Sequence, residues 1–135
     1  TMRNGDYHTN NVMVQNGEAI LIDMDTRAVG HQILELGSMF NAFQGFAELD
    51  HETTMQFFGF PYELGTRFWR LSLARYLETN DAQALRSVED KAKIIGYTRM
   101  LRRSMRRQEA NRAAVIANCT RHLEELLPRV DTLTF

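Results

Sequence analysis

Near the start of the chain, Asn4-Gly5-Asp6-Tyr7-His8-Thr9-Asn10-Asn11 places an acid five positions ahead of an amide. In one loop, Asp6 can accept a proton from a substrate hydroxyl, and the Asn11 amide oxygen can ligate a hard cation such as magnesium. Phosphoryl transfer uses this pairing: a loop Asp orients the acceptor hydroxyl and an Asn holds a metal. Taken alone, the spacing also fits a polar turn whose side chains bond their own backbone. A second acidic run, Leu21-Ile22-Asp23-Met24-Asp25, decides between the two. If the intervening chain is a hairpin, the start of its first strand lies beside the end of its second, bringing Asn11 to Asp23. Asp25 shares the side of Asp23 if the strand persists, because strand side chains repeat with period two. Three carboxylates and an amide so placed repel one another unless a divalent cation joins them, and that cation would also offset phosphate charge.

The elements that must hold these residues are legible in the pattern. Val12-Met13-Val14 and Ala19-Ile20-Leu21-Ile22 are two short apolar runs on either side of Asn16-Gly17, a tight-turn pair. They predict a β-hairpin with strands near 12–15 and 18–22. From Ile33 through Phe43 the apolar spacing becomes three and four, predicting a helix over about 31–44 with a stop at Gly45. Asp50 is placed to cap a short helix ending at Gly59, and Pro61 opens another reaching about Leu77. A long helix is expected over about 82–109, with Gly96 a point of interruption. A last helix runs over about 112–127 and stops at Pro128; the tail 129–135 carries no assignment. The fold class expected is mainly α with a small β-hairpin, in one domain over 1–135: a loop and hairpin over 1–30, then a helical subdomain over 31–135.

Composition narrows the function classes. Sixteen basic and 17 acidic residues give a net charge of −1, which creates no global attraction to nucleic acid or anionic membrane. No apolar run approaches the roughly 20 residues of a membrane span. The single cysteine, Cys119, cannot form an internal disulfide, and residues 1–6 lack the apolar core of a signal peptide, so a cytoplasmic protein is the default expectation.

The segment from Asn4 to Gly37 resembles the aminoglycoside phosphotransferase superfamily, which includes choline, homoserine and fructosamine kinases. Its pattern is His-Gly-Asp-x-His-x-x-Asn, a hairpin, Ile-Asp-x-Asp/Glu, a Gly, and Asp-Leu-Ala. Here stand Gly5-Asp6, His8 and Asn11, then Ile22-Asp23 and Asp25, then Gly30 and Leu36. The resemblance implies the C-terminal lobe of a protein-kinase-like fold and an ATP- and Mg2+-dependent transfer of phosphate to a small-molecule hydroxyl. It implies Asp6 as the catalytic base or hydroxyl-orienting Asp, Asn11 and Asp23 as metal ligands with Asp25 as a further acidic position, and His8 and Glu35 as residues that shape and brace the loop. The chain departs from the pattern at Asn4 (His in the family), Gln32 (Pro), Glu35 (Asp) and Gly37 (Ala). Such a kinase also needs a glycine-rich phosphate loop and a strand lysine. No Gly-x-Gly-x-x-Gly occurs here, and Lys91 and Lys93 fall in a predicted helix. The nucleotide-binding lobe is therefore expected upstream, with this chain alone inactive.

Two rival readings follow from particular residues. Asn4 and Glu35 would suit a non-catalytic, kinase-like interaction domain. Arg99, Arg102, Arg103, Arg106 and Arg107 would suit a nucleic-acid-binding helix, although a solvated face paired with acids accounts for them more simply. His31, His51 and His122 lack a zinc-site spacing. Cys119 reads as a buried, inert thiol, and the phenylalanines from Phe40 to Phe68 with Trp69 read mainly as core.

Overall fold

Asn16 and Gly17 carry the two positive φ angles, 53° and 82°, that a two-residue hairpin turn of this hand requires. They join strand β2 (Val12–Gln15) to β3 (Glu18–Leu21) in antiparallel register, Val12 opposite Leu21 and Gln15 opposite Glu18. The pairing extends by one bond, Ile22 N–H donating to Asn11 C=O at 2.9 Å. Almost all of the hairpin is exposed, including the apolar Met13, Val14, Ile20 and Leu21.

The computed structural model describes residues 2–25 and 27–133. A second antiparallel pair joins β1 (Met2–Arg3) to β4 (Ala28–Val29). With two residues a strand, it is too short for alternation to show in the sequence. It encloses the acidic loop and the hairpin between its strands and delivers both to the first helix.

Five helices follow: α1 (Ile33–Phe43), α2 (Glu52–Phe58), α3 (Tyr62–Tyr76), α4 (Ala82–Arg106) and α5 (Arg112–Leu126). The Asp50 carboxylate accepts from Glu52 N–H at 3.1 Å, and Gly59, at φ 77°, ends α2 in the left-handed region. Asp81 caps α4 by accepting from Ala84 N–H at 2.7 Å. After α5 the chain tightens into a 3-10 turn over Leu127–Thr132 and places Leu133 in the core; residues 134 and 135 of the unassigned tail lie outside the described residues.

Two expectations need correction. Helix α4 ends at Arg106, three residues early, and it runs without a break through Gly96. Gly96 is a point of close approach between helices. A Cβ there would lie 2.6 Å from Phe40 Cδ1 and 2.6 Å from Asn41 Oδ1, with the Gly37 carbonyl 3.2 Å away. Asn41 Nδ2 donates to the Gly96 carbonyl at 3.1 Å, pinning α1 to α4 at that point.

Around this crossing lies the core. Phe40, Phe43, Trp69, Tyr97 and Cys119 are fully buried. Phe40 meets Tyr97 and Trp69 edge-on at 5.2 and 6.1 Å, the geometry ring quadrupoles favour. The other expected core aromatics divide: Phe46, Phe57 and Phe68 are exposed. One charged group is drawn inward. The Glu48 carboxylate accepts from Tyr97 Oη at 2.7 Å and Asn118 Nδ2 at 3.0 Å. Burial, reinforced by that hydrogen bond, pushes the Tyr97 hydroxyl well above the usual tyrosine range. Burial and then the Glu48 charge push the Cys119 thiol up to about 11, which bears out an inert cysteine.

Gly96→Ala tests the helix crossing. Alanine improves helix propensity by about 1 kcal/mol, but overpacking a tight contact costs about 1–3 kcal/mol. With two neighbours at 2.6 Å, overpacking wins. Urea unfolding should show a net loss of about 1–2 kcal/mol, where an exposed helical glycine would show a gain.

Candidate active site

The acidic loop leaves β1 at Asn4 and is gathered by its own side chains. Asn4 Oδ1 accepts from Asp6 N–H at 3.4 Å, and Asn11 Nδ2 donates to the Asp6 carbonyl at 3.0 Å. Asn4 and Asn11 are the buried residues here, Asn11 only 7% exposed. A 3-10 turn over Thr9–Asn11 closes the loop, with Asn11 N–H donating to the His8 carbonyl at 3.0 Å. From outside, Glu35 in the first turn of α1 accepts from Gly5 N–H at 2.7 Å. The short distance is that of a charge-assisted bond. The brace that the resemblance assigns to an Asp is thus made by the longer Glu.

Within this frame the Asp6 carboxylate turns outward, with 58% of its side chain exposed. His8 Nε2 lies 3.6 Å from Asp6 Oδ2. The His8 ring packs between Phe57 and Phe58 of α2, at 6.1 and 6.0 Å. Its buried Nδ1 has no hydrogen-bond partner among the described residues. Asn10 Nδ2 donates to the Phe57 carbonyl at 3.3 Å, so α2 also supports the loop.

Asp23 comes to the same end of the hairpin as Asn11, one residue beyond the backbone bond between Asn11 and Ile22. It is exposed and adopts a left-handed conformation, φ 54°, which Asp tolerates better than most residues. The strand therefore stops at Leu21 instead of running through Ile22 into the acidic run. Alternation along a strand no longer aligns Asp25 with Asp23. Asp25 is exposed in a turn that Arg27 closes by donating to the Met24 carbonyl, from backbone N–H at 3.2 Å and Nε at 3.3 Å.

The donor types suit a hard cation. Asn11 commits its NH2 group to Asp6, which orients the amide and leaves oxygen as its ligand atom. The other donors are carboxylate oxygens. Among the described residues no three His, Cys, Asp or Glu side chains converge as a cage. Magnesium does not require one, since it usually keeps several waters and takes one or two carboxylates plus substrate phosphates.

Beside Asp6 opens a cleft of about 660 Å³, floored by residues 5–8 and walled by α1, α2, α4 and the start of α5. Two of the five helix arginines line it. Arg99 Nη1 donates to the Ser38 hydroxyl and, at 3.4 Å, to the Leu34 carbonyl, both on α1. Arg103 lies 5.4 Å over the Phe46 ring and pairs with Glu109 at 3.4 Å. Sequence reading placed both on a solvated face. Their i, i+4 spacing shows that they share a side of the helix, but not that this side borders a cavity next to Asp6.

Compared with protein-family models, curated proteins and solved structures, the chain matches none. Among the described residues, no helix is long and apolar enough to cross a membrane.

Glu35→Ala removes the acceptor of Gly5 N–H. A bond to a charged, partly exposed group of this kind contributes about 1–2 kcal/mol. Amide exchange at Gly5 should accelerate by about 10-fold or more, ahead of any change in the helical core, and Glu35→Asp should fall between the two.

Proposed function

We propose that this chain is the catalytic, metal-binding lobe of a small-molecule kinase of the aminoglycoside phosphotransferase and choline kinase type. The activity would be ATP- and Mg2+-dependent phosphorylation of a hydroxyl. One observation carries the reading: a braced acidic loop presents Asp6 at a cleft mouth, while Asn11, from the same loop, is bonded through its backbone to the residue before Asp23.

In this scheme the acceptor enters the cleft with its hydroxyl toward Asp6. The exposed carboxylate accepts the hydroxyl's hydrogen bond and aims the oxygen at the terminal phosphorus of ATP; as the new O–P bond forms, the bond from that phosphorus to the β,γ-bridging oxygen breaks, ADP leaves with that electron pair, and the hydroxyl proton passes to Asp6. His8, wedged by Phe57 and Phe58, keeps the Asp6 side chain in place. Asn11 and Asp23 would hold Mg2+, with Asp25 as a further acidic position. The bound ion would neutralise phosphate charge. The nucleotide would lie on the exposed apolar hairpin of Met13, Val14, Ile20 and Leu21, covered by a glycine-rich lobe whose motifs these 135 residues do not contain. Burying such a surface is favourable by about 25 cal/mol per Å².

The departures at Asn4 and Glu35 are compatible with activity, because both side chains take up bonds that shape the loop around Asp6. The arginine helix gives little to a nucleic-acid reading, since Arg99 and Arg103 border the cleft and Arg103 is engaged by Glu109.

Asp6→Asn is isosteric and keeps the loop's backbone bonds. In the full-length protein it should lower kcat for ATP-dependent phosphorylation by about 10²- to 10⁴-fold, the usual range for a positioned general base. The circular dichroism spectrum should not change. Turnover within a few-fold of the parent would remove Asp6 from the chemistry.

A further inference from the structure

The charges along the cleft differ in what engages them. Glu109 faces two arginines, Arg103 at 3.4 Å and Arg107 at 3.8 Å. Asp6 has His8 at 3.6 Å and, on the reading above, the acceptor hydroxyl. Arg103 has Glu109 and the Phe46 ring. Arg99 pairs with no carboxylate among the described residues. Its partners are two neutral oxygens on α1, the Leu34 carbonyl and the Ser38 hydroxyl, and both are reached through Nη1. That tether fixes the guanidinium at the cleft wall while the Nη2 and Nε donors stay uncommitted among the described residues. A planar, preorganised guanidinium of this kind matches a carboxylate, which can take two parallel N–H bonds. The lining that Arg99 and Asp6 share mixes polar side chains with apolar ones, among them the exposed rings of Phe46 and Phe57.

We infer that the acceptor is a carboxylate-bearing hydroxyl compound with an apolar or aromatic body, its carboxylate held by Arg99 and its hydroxyl directed to Asp6. This rests on the kinase reading for the direction of the hydroxyl; the carboxylate anchor stands on the cleft alone. Arg99 is a binding residue here, and it takes no part in bond making.

The test is titration calorimetry on the full-length protein with hydroxymethylbenzoate and its two neutral or cationic counterparts, hydroxymethylbenzamide and hydroxymethylbenzylamine. The acid should bind at least about tenfold more tightly than the amide, as one charge-assisted pair provides, and the amine should bind weakest. Arg99→Met should bring acid and amide to within twofold, Arg99→Lys should keep part of the preference, and Arg102→Met, on the same helix but outside the cleft, should keep all of it. Equal or undetectable binding of acid and amide by the parent overturns the anchor. So does a preference that survives Arg99→Met, which would leave Arg99 as a tether between α1 and α4 only. If Arg99→Met fails to fold, Arg99→Lys decides: an undiminished preference overturns the anchor and a reduced one supports it. The two readings separate in the same material. Tight, Arg99-dependent binding of the acid without its nucleotide-dependent phosphorylation leaves the anchor standing and removes the kinase. Phosphorylation of acid and amide with equal efficiency does the reverse.

Discussion

The site depends on one hydrogen bond, the 2.7 Å contact from Gly5 N–H to the Glu35 carboxylate. It ties a loop with little regular structure to the first turn of the helix that organises the core. Helix α1 carries Glu35 on one side and Phe40, Asn41 and Phe43 on the other, where it crosses α4 at Gly96. Loop position is thus set by the helix crossing, and through it by core packing. The loop's internal bonds, from Asn4 and Asn11 to the Asp6 backbone, then fix where the Asp6 carboxylate emerges. An exposed side chain gains positional precision when its backbone is held by groups that are themselves packed.

The same crossing creates the cleft. Helices α1 and α4 pack at glycine distance near Gly37 and Gly96. Beside that contact, the gap toward α2 and α5 is lined by Ser38, Asn41, Met100 and Ser104 as well as the two arginines. The tether of Arg99 to Leu34 and Ser38 bridges the two helices at the cleft wall. The binding role proposed for Arg99 would fall on the side chain that makes this bridge.

What was legible in the sequence followed locality. Asn16-Gly17 specified its turn because the positive φ angles are a property of those two residues. The helices declared themselves by period, and Gly59 and Pro61 by backbone chemistry. Gly96 misled because glycine serves both as a breaker and as a point of close approach, and only the partner helix decides which. The strand end was misjudged because Asp23 adopts a left-handed φ that apolar patterning does not reveal. The hairpin that brings the backbone of Asn11 to the residue before Asp23 was visible in the spacing of the apolar runs. The cleft was not, because its walls come from elements that are distant in the chain and meet only by packing. Arg99 and Arg103 carried a visible signal, a shared helix face, but no sign of what that face looks onto.

The central claim is that Asn11 and Asp23 grip one divalent ion beside Asp6, and paramagnetic relaxation tests it most directly. Mn2+ should substitute for Mg2+ in the full-length protein with a non-hydrolysable ATP analogue, since both favour oxygen ligands. The account predicts selective broadening of the Asn11 side-chain NH2 and the Asp23 and Asp6 amide signals, with α5 signals sharp. Broadening that spares Asn11 and Asp23, or that centres elsewhere in the chain, would contradict it.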